Sequence, residues 1–318
     1  MNNSRNKILV AIDFEEQSLC ALEHSYELAR LFDADLVLLY VIEGISTLGK
    51  LRSPEEYVKN IIEEAREKFD GLEELARRVS GKESVNVTAL IEKGKPYEKI
   101  LETATDQNAI MIVIGKSSYL EQKKKRRFVG SNSYNVIRDA PCPVIAIKES
   151  GTLPGEYKKI LLPLDFTRQT KKQVQKAIEF GGYFGARIHV ISILRTDNKV
   201  TKLLKQVQLN QVKNAIQKNG IECKSEFIFN KQKSIAEIII EYSKSAGIDL
   251  IIIMTQQKKS AINYYVGSTA HEVINESDIP VLSIIPTADF KPGMVTSMVD
   301  PLGVIKHKET NAGTSASS

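Results

Sequence analysis

The chain is short of the residues that usually betray a chemistry. Its three cysteines, Cys20, Cys142 and Cys223, lie far apart and form no pair motif. That spacing argues against both a disulfide framework and a zinc site. The four histidines, His24, His189, His271 and His307, show no spacing suited to metal binding or catalysis, so structural or surface roles are expected. No apolar run approaches the ~18 residues needed to span a membrane. The apolar stretch Ile8 to Ile12 is too short for a signal-peptide core. A cytoplasmic protein without a membrane partner is therefore expected. A strong excess of charge of one sign is also lacking. The net charge of +5 over 318 residues is mild and does not by itself argue for nucleic acid.

What is present is ordinary globular material, 42% hydrophobic and 26% charged. The length suggests roughly two domains. Lys7 to Phe14 reads as a short apolar strand ending in Asp13. Residues 17 to 32 follow as an amphipathic helix, with Leu19, Leu22, Tyr26, Ala29 and Phe32 three or four apart. Ala34 to Ile42 is a second buried strand. A long helix carries Ile61, Ala65, Phe69, Leu72 and Leu75 on one face, with Gly71 inside it. Val85, Val87, Ala89 and Ile91 alternate, which marks a third strand nearer an edge. Pro96 suits the first turn of a short helix. Ile110 to Ile114 is a buried strand leading into Gly115. A basic loop, Lys123 to Arg127, precedes a helix opening at Gly130-Ser131-Asn132-Ser133. Pro143 to Ile147 closes the pattern as a fifth strand.

The pattern then restarts. Lys159 to Phe166 mirrors Lys7 to Phe14 at an offset of 165 − 13 = 152. Val266-Gly267-Ser268 mirrors Val129-Gly130-Ser131, and Pro280-Val281 mirrors Pro143-Val144, both at 137, so the second copy is about 15 residues shorter between these landmarks. The units are expected at 1–150 and 157–286, with a linker at 151–156 and a flexible tail at 287–318. Strands alternating with helices imply an α/β fold, two repeated doubly wound five-stranded parallel sheets. The two copies are expected to pack as an intramolecular pseudo-dimer, and a homodimer of whole chains is possible. In such sheets ligands bind beyond the carboxyl ends of the strands, where the strand order reverses. If strands one and four are neighbours, Asp13, Gly115 and the helix start at Gly130 converge on one crevice. A helix start offers free N–H groups and a positive dipole end, which suit phosphate. The same residues have plainer uses. Asp13 and Asp165 can cap the following helices. Gly130 and Gly267 can serve strand–helix packing alone, and the lysine run can be a solvated surface.

The chain resembles a tandem universal stress protein over about residues 5–148 and 157–286. The resemblance rests on the strand-one aspartate, Leu39-Tyr40-Val41-Ile42, the glycine–hydroxyl motif, and Ala140-Pro-Cys-Pro-Val-Ile145. Nucleotide-binding members carry Gly-x2-Gly-x9-Gly-(Ser/Thr) after strand four. Gly115 and Gly130-Ser131 match its ends, Ser118 replaces the middle glycine, and 11 residues separate Ser118 from Gly130. In the second copy Thr255 stands at the first glycine and Lys258 at the middle one, while Gly267-Ser268-Thr269 survives. The resemblance implies a Rossmann-like fold that binds ATP or AMP, with or without Mg. It places adenine near Val41 and Ile193, and ribose or metal near Asp13 and Asp165. It also places the small or proline position at Ala11 and Pro163. It implies a first site of Ala11, Asp13, Val41, Ile114, Gly115, Ser118, Gly130, Ser131 and Asn132. A weaker second site comprises Pro163, Asp165, Ile193, Gly267, Ser268 and Thr269. No Walker lysine motif and no evident general base accompany these residues, so a stress-response regulator is expected rather than an enzyme. Two alternatives stay open: a scaffold that binds no nucleotide and acts through protein partners, and a slow ATPase or a protein autophosphorylated at Ser131 or a neighbouring hydroxyl.

Overall fold

The structure is a computed structural model that describes residues 5–43, 54–79, 85–116, 131–148, 157–166, 170–196, 198–258 and 264–284. Ser118, the basic loop 123–127, Gly130, the linker 151–156 and the tail 287–318 lie outside the described residues.

Repeat one contains β1 (Asn6–Ala11), α1 (Glu16–Leu31), β2 (Ala34–Ile42), α2 (Pro54–Val79), β3 (Val87–Lys93), α3 (Pro96–Asp106), β4 (Met111–Gly115), α4 (Ser131–Asp139) and β5 (Val144–Ile147). Repeat two contains β6 (Lys159–Pro163), α5 (Thr170–Phe184), β7 (Arg187–Leu194), α6 (Lys199–Lys218), β8 (Cys223–Phe229), α7 (Ile235–Ser245), β9 (Leu250–Met254), β10 (Gln256–Lys258), β11 (Tyr264–Val266), α8 (Ser268–Glu276) and β12 (Val281–Ile284). The central strands are short, uniformly apolar and buried on both faces, as Ile8, Leu9 and Val10 of β1 illustrate. Such runs demand helices on each side of a parallel sheet.

Ten of the strands form one sheet in the order β3-β2-β1-β4-β5-β12-β9-β6-β7-β8, and β10 and β11 pair separately. Each half is thus a parallel 3-2-1-4-5 sheet, doubly wound as expected, with β3 and β8 at the outer edges. The halves join where β12 runs antiparallel to β5, with Val281, Leu282 and Ser283 opposite Ala146, Ile145 and Val144. The expected pseudo-dimer is therefore built through the two fifth strands. Each fifth strand would otherwise be an open edge, and joining them covers both.

Helices bury the junction from both sides. On one face, Phe32 at the end of α1 packs on Tyr183 with ring centroids 4.8 Å apart and meets Phe180 edge-on. Beside them the His24 Nδ1 atom lies 2.7 Å from the Tyr157 hydroxyl in a buried contact between the repeats. Burial pushes the Tyr157 phenol far up, so it stays neutral. On the other face Tyr134 of α4 meets His271 of α8 edge to face, 5.2 Å between centroids. Across the rim, Lys148 Nζ sits 2.6 Å and Lys244 Nζ 2.8 Å from the Asp278 carboxylate. These two cations hold the Asp278 carboxyl down to about 2.

The duplication extends to backbone detail. Phe14 and Phe166, 152 residues apart, both take a left-handed conformation (φ 65° and 58°). Such a conformation costs a bulky residue on the order of 1–3 kcal/mol. It recurs just after the aspartate in both repeats. There Phe14 packs on Tyr40 and Phe69, each 5.1 Å between centroids.

One alignment changes. Gly115 pairs with Ile147, and Met254 pairs with Ile284. Lys116 N–H donates to the Ile147 carbonyl, and Thr255 N–H to that of Ile284. The offset between β4 and β9 is therefore 254 − 115 = 139. Met254, not Thr255, stands where Gly115 stands, and Thr255 answers Lys116. Beyond β9 the second copy also forms an antiparallel hairpin, β10 with β11, that periodicity does not reveal.

Candidate functional site

The strand order of repeat one reverses between β1 and β4, which makes their carboxyl ends the expected crevice. Ala11 ends β1 and is partly buried. Two residues on, Asp13 is exposed and tied into the entry of α1. The Glu15 N–H donates to Asp13 Oδ1 (3.0 Å), and the Asp13 N–H donates to Ser18 Oγ (3.2 Å). Ser18 Oγ in turn donates to the Glu15 carbonyl at 2.9 Å. Asp13 therefore does serve the helix start, since the Glu15 cap position has no side-chain cap of its own. Val41 is half-buried near the end of β2, paired with Glu92 of β3. Ile114 is core. Asn132, half-buried, stands in the first turn of α4, which begins at Ser131.

Gly115 ends β4 against the first turn of α1. A Cβ there would lie 2.6 Å from both C and O of Gln17 and 2.8 Å from the Ser18 nitrogen. Real side chains do not approach backbone so closely. The glycine is therefore required by strand–helix packing, before any ligand is considered. The same contact brings the Asp13–Ser18 turn against the end of β4.

Lys116 follows, and sequence reasoning passed over it. It is only 3% exposed. Its ammonium crosses into repeat two and donates to the carbonyls of Ile274 (3.0 Å) and Ser277 (2.7 Å) at the carboxyl end of α8. These are carbonyls that the helix leaves unpaired, and its dipole favours a cation there. Burial, with a smaller push from Lys148, lowers the amine to about 7, and Asp278 opposes the shift. The start of the loop that leads to α4 is thus anchored in the other repeat. No sequence signal marked it, because the partner carbonyls lie about 160 residues away.

The second crevice is built differently. Pro163 ends β6 with no N–H to donate. The Leu164 N–H goes to Ile191 of β7, so the missing donor faces β9. Strands β1 and β4 pair over three residues, whereas β6 and β9 pair over two. Gln173 of α5, buried, fills the gap. Its Nε2 donates to the carbonyls of Pro163 (3.1 Å) and Ile252 (3.4 Å). At the offset of 152 its counterpart is Ala21. Asp165 is exposed and Ile193 half-buried. Gly267 caps α8 with an ordinary φ of −58°, and its N–H donates to the Thr255 carbonyl at 3.3 Å. Ser268 is exposed and Thr269 half-buried. The expected second-site residues thus lie along one sheet end, but Gln173 occupies the strand junction behind them, and Met254 stands where repeat one has Gly115. Among the described residues no group of three or more His, Cys, Asp or Glu side chains could hold a metal. No helix of the described residues is long and apolar enough to cross a membrane.

Fold and site together define a tandem α/β protein of Rossmann-like architecture, with a strand-order reversal in each half, the place where such sheets bind ligands. The chain belongs to the universal stress protein family, whose model matches residues 4–148 and 156–284. It is 28% identical over 148 residues to the universal stress protein YxiE of Bacillus subtilis, covering 45% of this chain and 99% of that one. A solved universal stress protein from Archaeoglobus fulgidus DSM 4304 shares the fold over 88% of this chain and 98% of its own, with 20% identity and a TM-score of 0.69. A universal stress protein from Archaeoglobus fulgidus has also been solved in complex with dAMP. It matches 41% of this chain and 98% of its own, at 19% identity and a TM-score of 0.34.

Proposed function

We propose that the chain is a cytoplasmic stress-response regulator that binds an adenine nucleotide, ATP or AMP, in the crevice of repeat one. The observation that carries this reading is the asymmetry of the two crevices. Repeat one keeps Ala11, three paired residues between β1 and β4, and Gly115 against the Asp13 turn. Repeat two has Pro163, a shortened junction and Gln173 wedged beneath it. In this reading Val41 lies near the base, Asp13 near ribose or the Mg that accompanies ATP, and the amino end of α4 meets phosphate. The donor set fits such a ligand. Asp13 spends one carboxylate oxygen on Glu15 and is otherwise solvent-facing. The reading is of binding, not turnover, and assigns no catalytic residue.

One observation favours the scaffold alternative. Gly115 is demanded by α1 itself, so its presence would be kept without any nucleotide. Denaturing the purified protein and identifying released small molecules separates the two. Stoichiometric adenine nucleotide supports the binding reading. None released, and none bound on adding ATP, supports the scaffold.

A further inference from the structure

Among the described residues, exposed large hydrophobic side chains are concentrated in repeat two, four of them on one helix. Among the described residues only Leu31 lies in repeat one; the other six are Val200, Leu203, Leu204 and Val207 on α6, Phe229 at the end of β8, and Ile235 at the start of α7. All six lie in repeat two, but α6 packs on one face of the sheet through Leu209, Val212 and Ile216 and α7 on the other through Ala236 and Ile239, so the four residues on α6 form the continuous patch.

The α6 residues form a stripe at i, i+3, i+4 and i+7. They are 67%, 67%, 62% and 50% exposed. The sheet-facing side of the helix is a different set, Leu209, Val212, Ala215 and Ile216. This helix therefore has two apolar faces, and only one is covered by the fold. Its charge is equally one-sided. Between Lys199 and Lys218 there are five lysines and no aspartate or glutamate. At about 100° per residue, Lys199, Lys202 and Lys213 fall along one flank of the exposed stripe. Lys231 adds a further cation 5.3 Å from the centre of the Phe229 ring.

A second copy is a poor match, because it would set a lysine-only helix against another. A stable protein interface also engages roughly 20–30 residues a side, usually around tryptophan, tyrosine or arginine anchors. On α6 the anchors are aliphatic, few and carried on a convex helix. A lipid surface has the complementary chemistry: hydrocarbon below, anionic headgroups above. Lysine stems lie along apolar surface and place their ammonium groups at headgroup level. We propose that the α6 corner of repeat two docks reversibly on an anionic phospholipid surface, with Val200, Leu203, Leu204 and Val207 at the acyl boundary and the flanking lysines among the headgroups. Two turns of helix make this contact weak and salt-dependent.

The test is co-sedimentation of the full chain with phosphatidylcholine vesicles containing phosphatidylserine, and with phosphatidylcholine vesicles alone. The wild type should sediment with the anionic vesicles only, and less as ionic strength rises. L203Q/L204Q should weaken binding about tenfold or more by removing inserted apolar surface. K199Q/K202Q should weaken it about fivefold per lysine. All four positions are exposed, so melting temperatures should stay at the wild-type value. Failure to bind anionic vesicles overturns the proposal, as does equal binding to neutral ones or indifference to both variants. A doubled solution mass that L203Q/L204Q abolishes would show that the stripe pairs two copies instead, and would equally overturn it.

Discussion

Gly115→Ala adds a single methyl group where the structure leaves no room. The new Cβ would stand 2.6 Å from two backbone atoms of Gln17 and 2.8 Å from a third in Ser18. These atoms belong to the first turn of α1, so the strain cannot be relieved by swinging a side chain. Either the turn lifts away from β4 or the end of β4 bends. Overpacking of this kind typically costs about 1–3 kcal/mol, and a clash with backbone belongs at the upper end. For a unit of this size each kcal/mol lowers the melting temperature by roughly 2–4 °C, so a drop of roughly 4–12 °C is expected. Gly71→Ala is the internal control. Gly71 lies inside α2, exposed, with nothing within 4 Å of its would-be Cβ. The same methyl should there raise stability by about 0.5–1 kcal/mol, through helix propensity alone. Scanning calorimetry or urea unfolding of the two variants beside the wild type measures both. If Gly115→Ala melts within a degree of the wild type, the close approach of α1 to β4 is wrong. The Gly115 substitution should also weaken nucleotide binding, because the displaced turn carries Asp13.

Two further outcomes follow from the junction between the repeats. Lys116 is held near 7 when folded but titrates near ~10.4 when unfolded. Between these values the unfolded chain binds a proton that the folded one has released, so stability rises with pH by up to ~1.4 kcal/mol per unit. Relative to Lys116→Met, the wild type should therefore gain stability from pH 7 to 9, and parallel melting curves would refute the burial of that amine. Residues 1–150 expressed alone should self-associate through the exposed edge of β5, read by light scattering. A stable half that stays monomeric would contradict the pairing seen between β5 and β12.

Much of this was legible in the chain. Apolar runs such as Ile8 to Val10 announce buried parallel strands, and the repeat announces two of everything, whereas the edges that join are set by the β5–β12 pairing. The misplacement of Thr255 has a physical cause. Ile251-Ile252-Ile253 is buried on both faces, so it shows no alternation, and a slip of one residue leaves its pattern unchanged. Only hydrogen-bond register fixes it. Lys116 reads as an ordinary loop lysine because its acceptors lie in the other repeat. Gln173 reads as the polar side of an amphipathic helix, although it is buried over the gap left by Pro163. The stripe on α6 shows the opposite failure, since periodicity marks an apolar face without saying whether anything covers it.

Adenine nucleotide is proposed to bind at repeat one. Isothermal titration with ATP of the wild type, Asp13→Ala and Asp165→Ala tests it most directly. Hydrogen bonds to charged groups are worth about 1.5–3 kcal/mol, so losing Asp13 should weaken binding by roughly tenfold or more. The expected result is a stoichiometry near one, that loss for Asp13→Ala, and wild-type affinity for Asp165→Ala. Binding abolished by Asp165→Ala but untouched by Asp13→Ala, or no binding heat from the wild type, would contradict it.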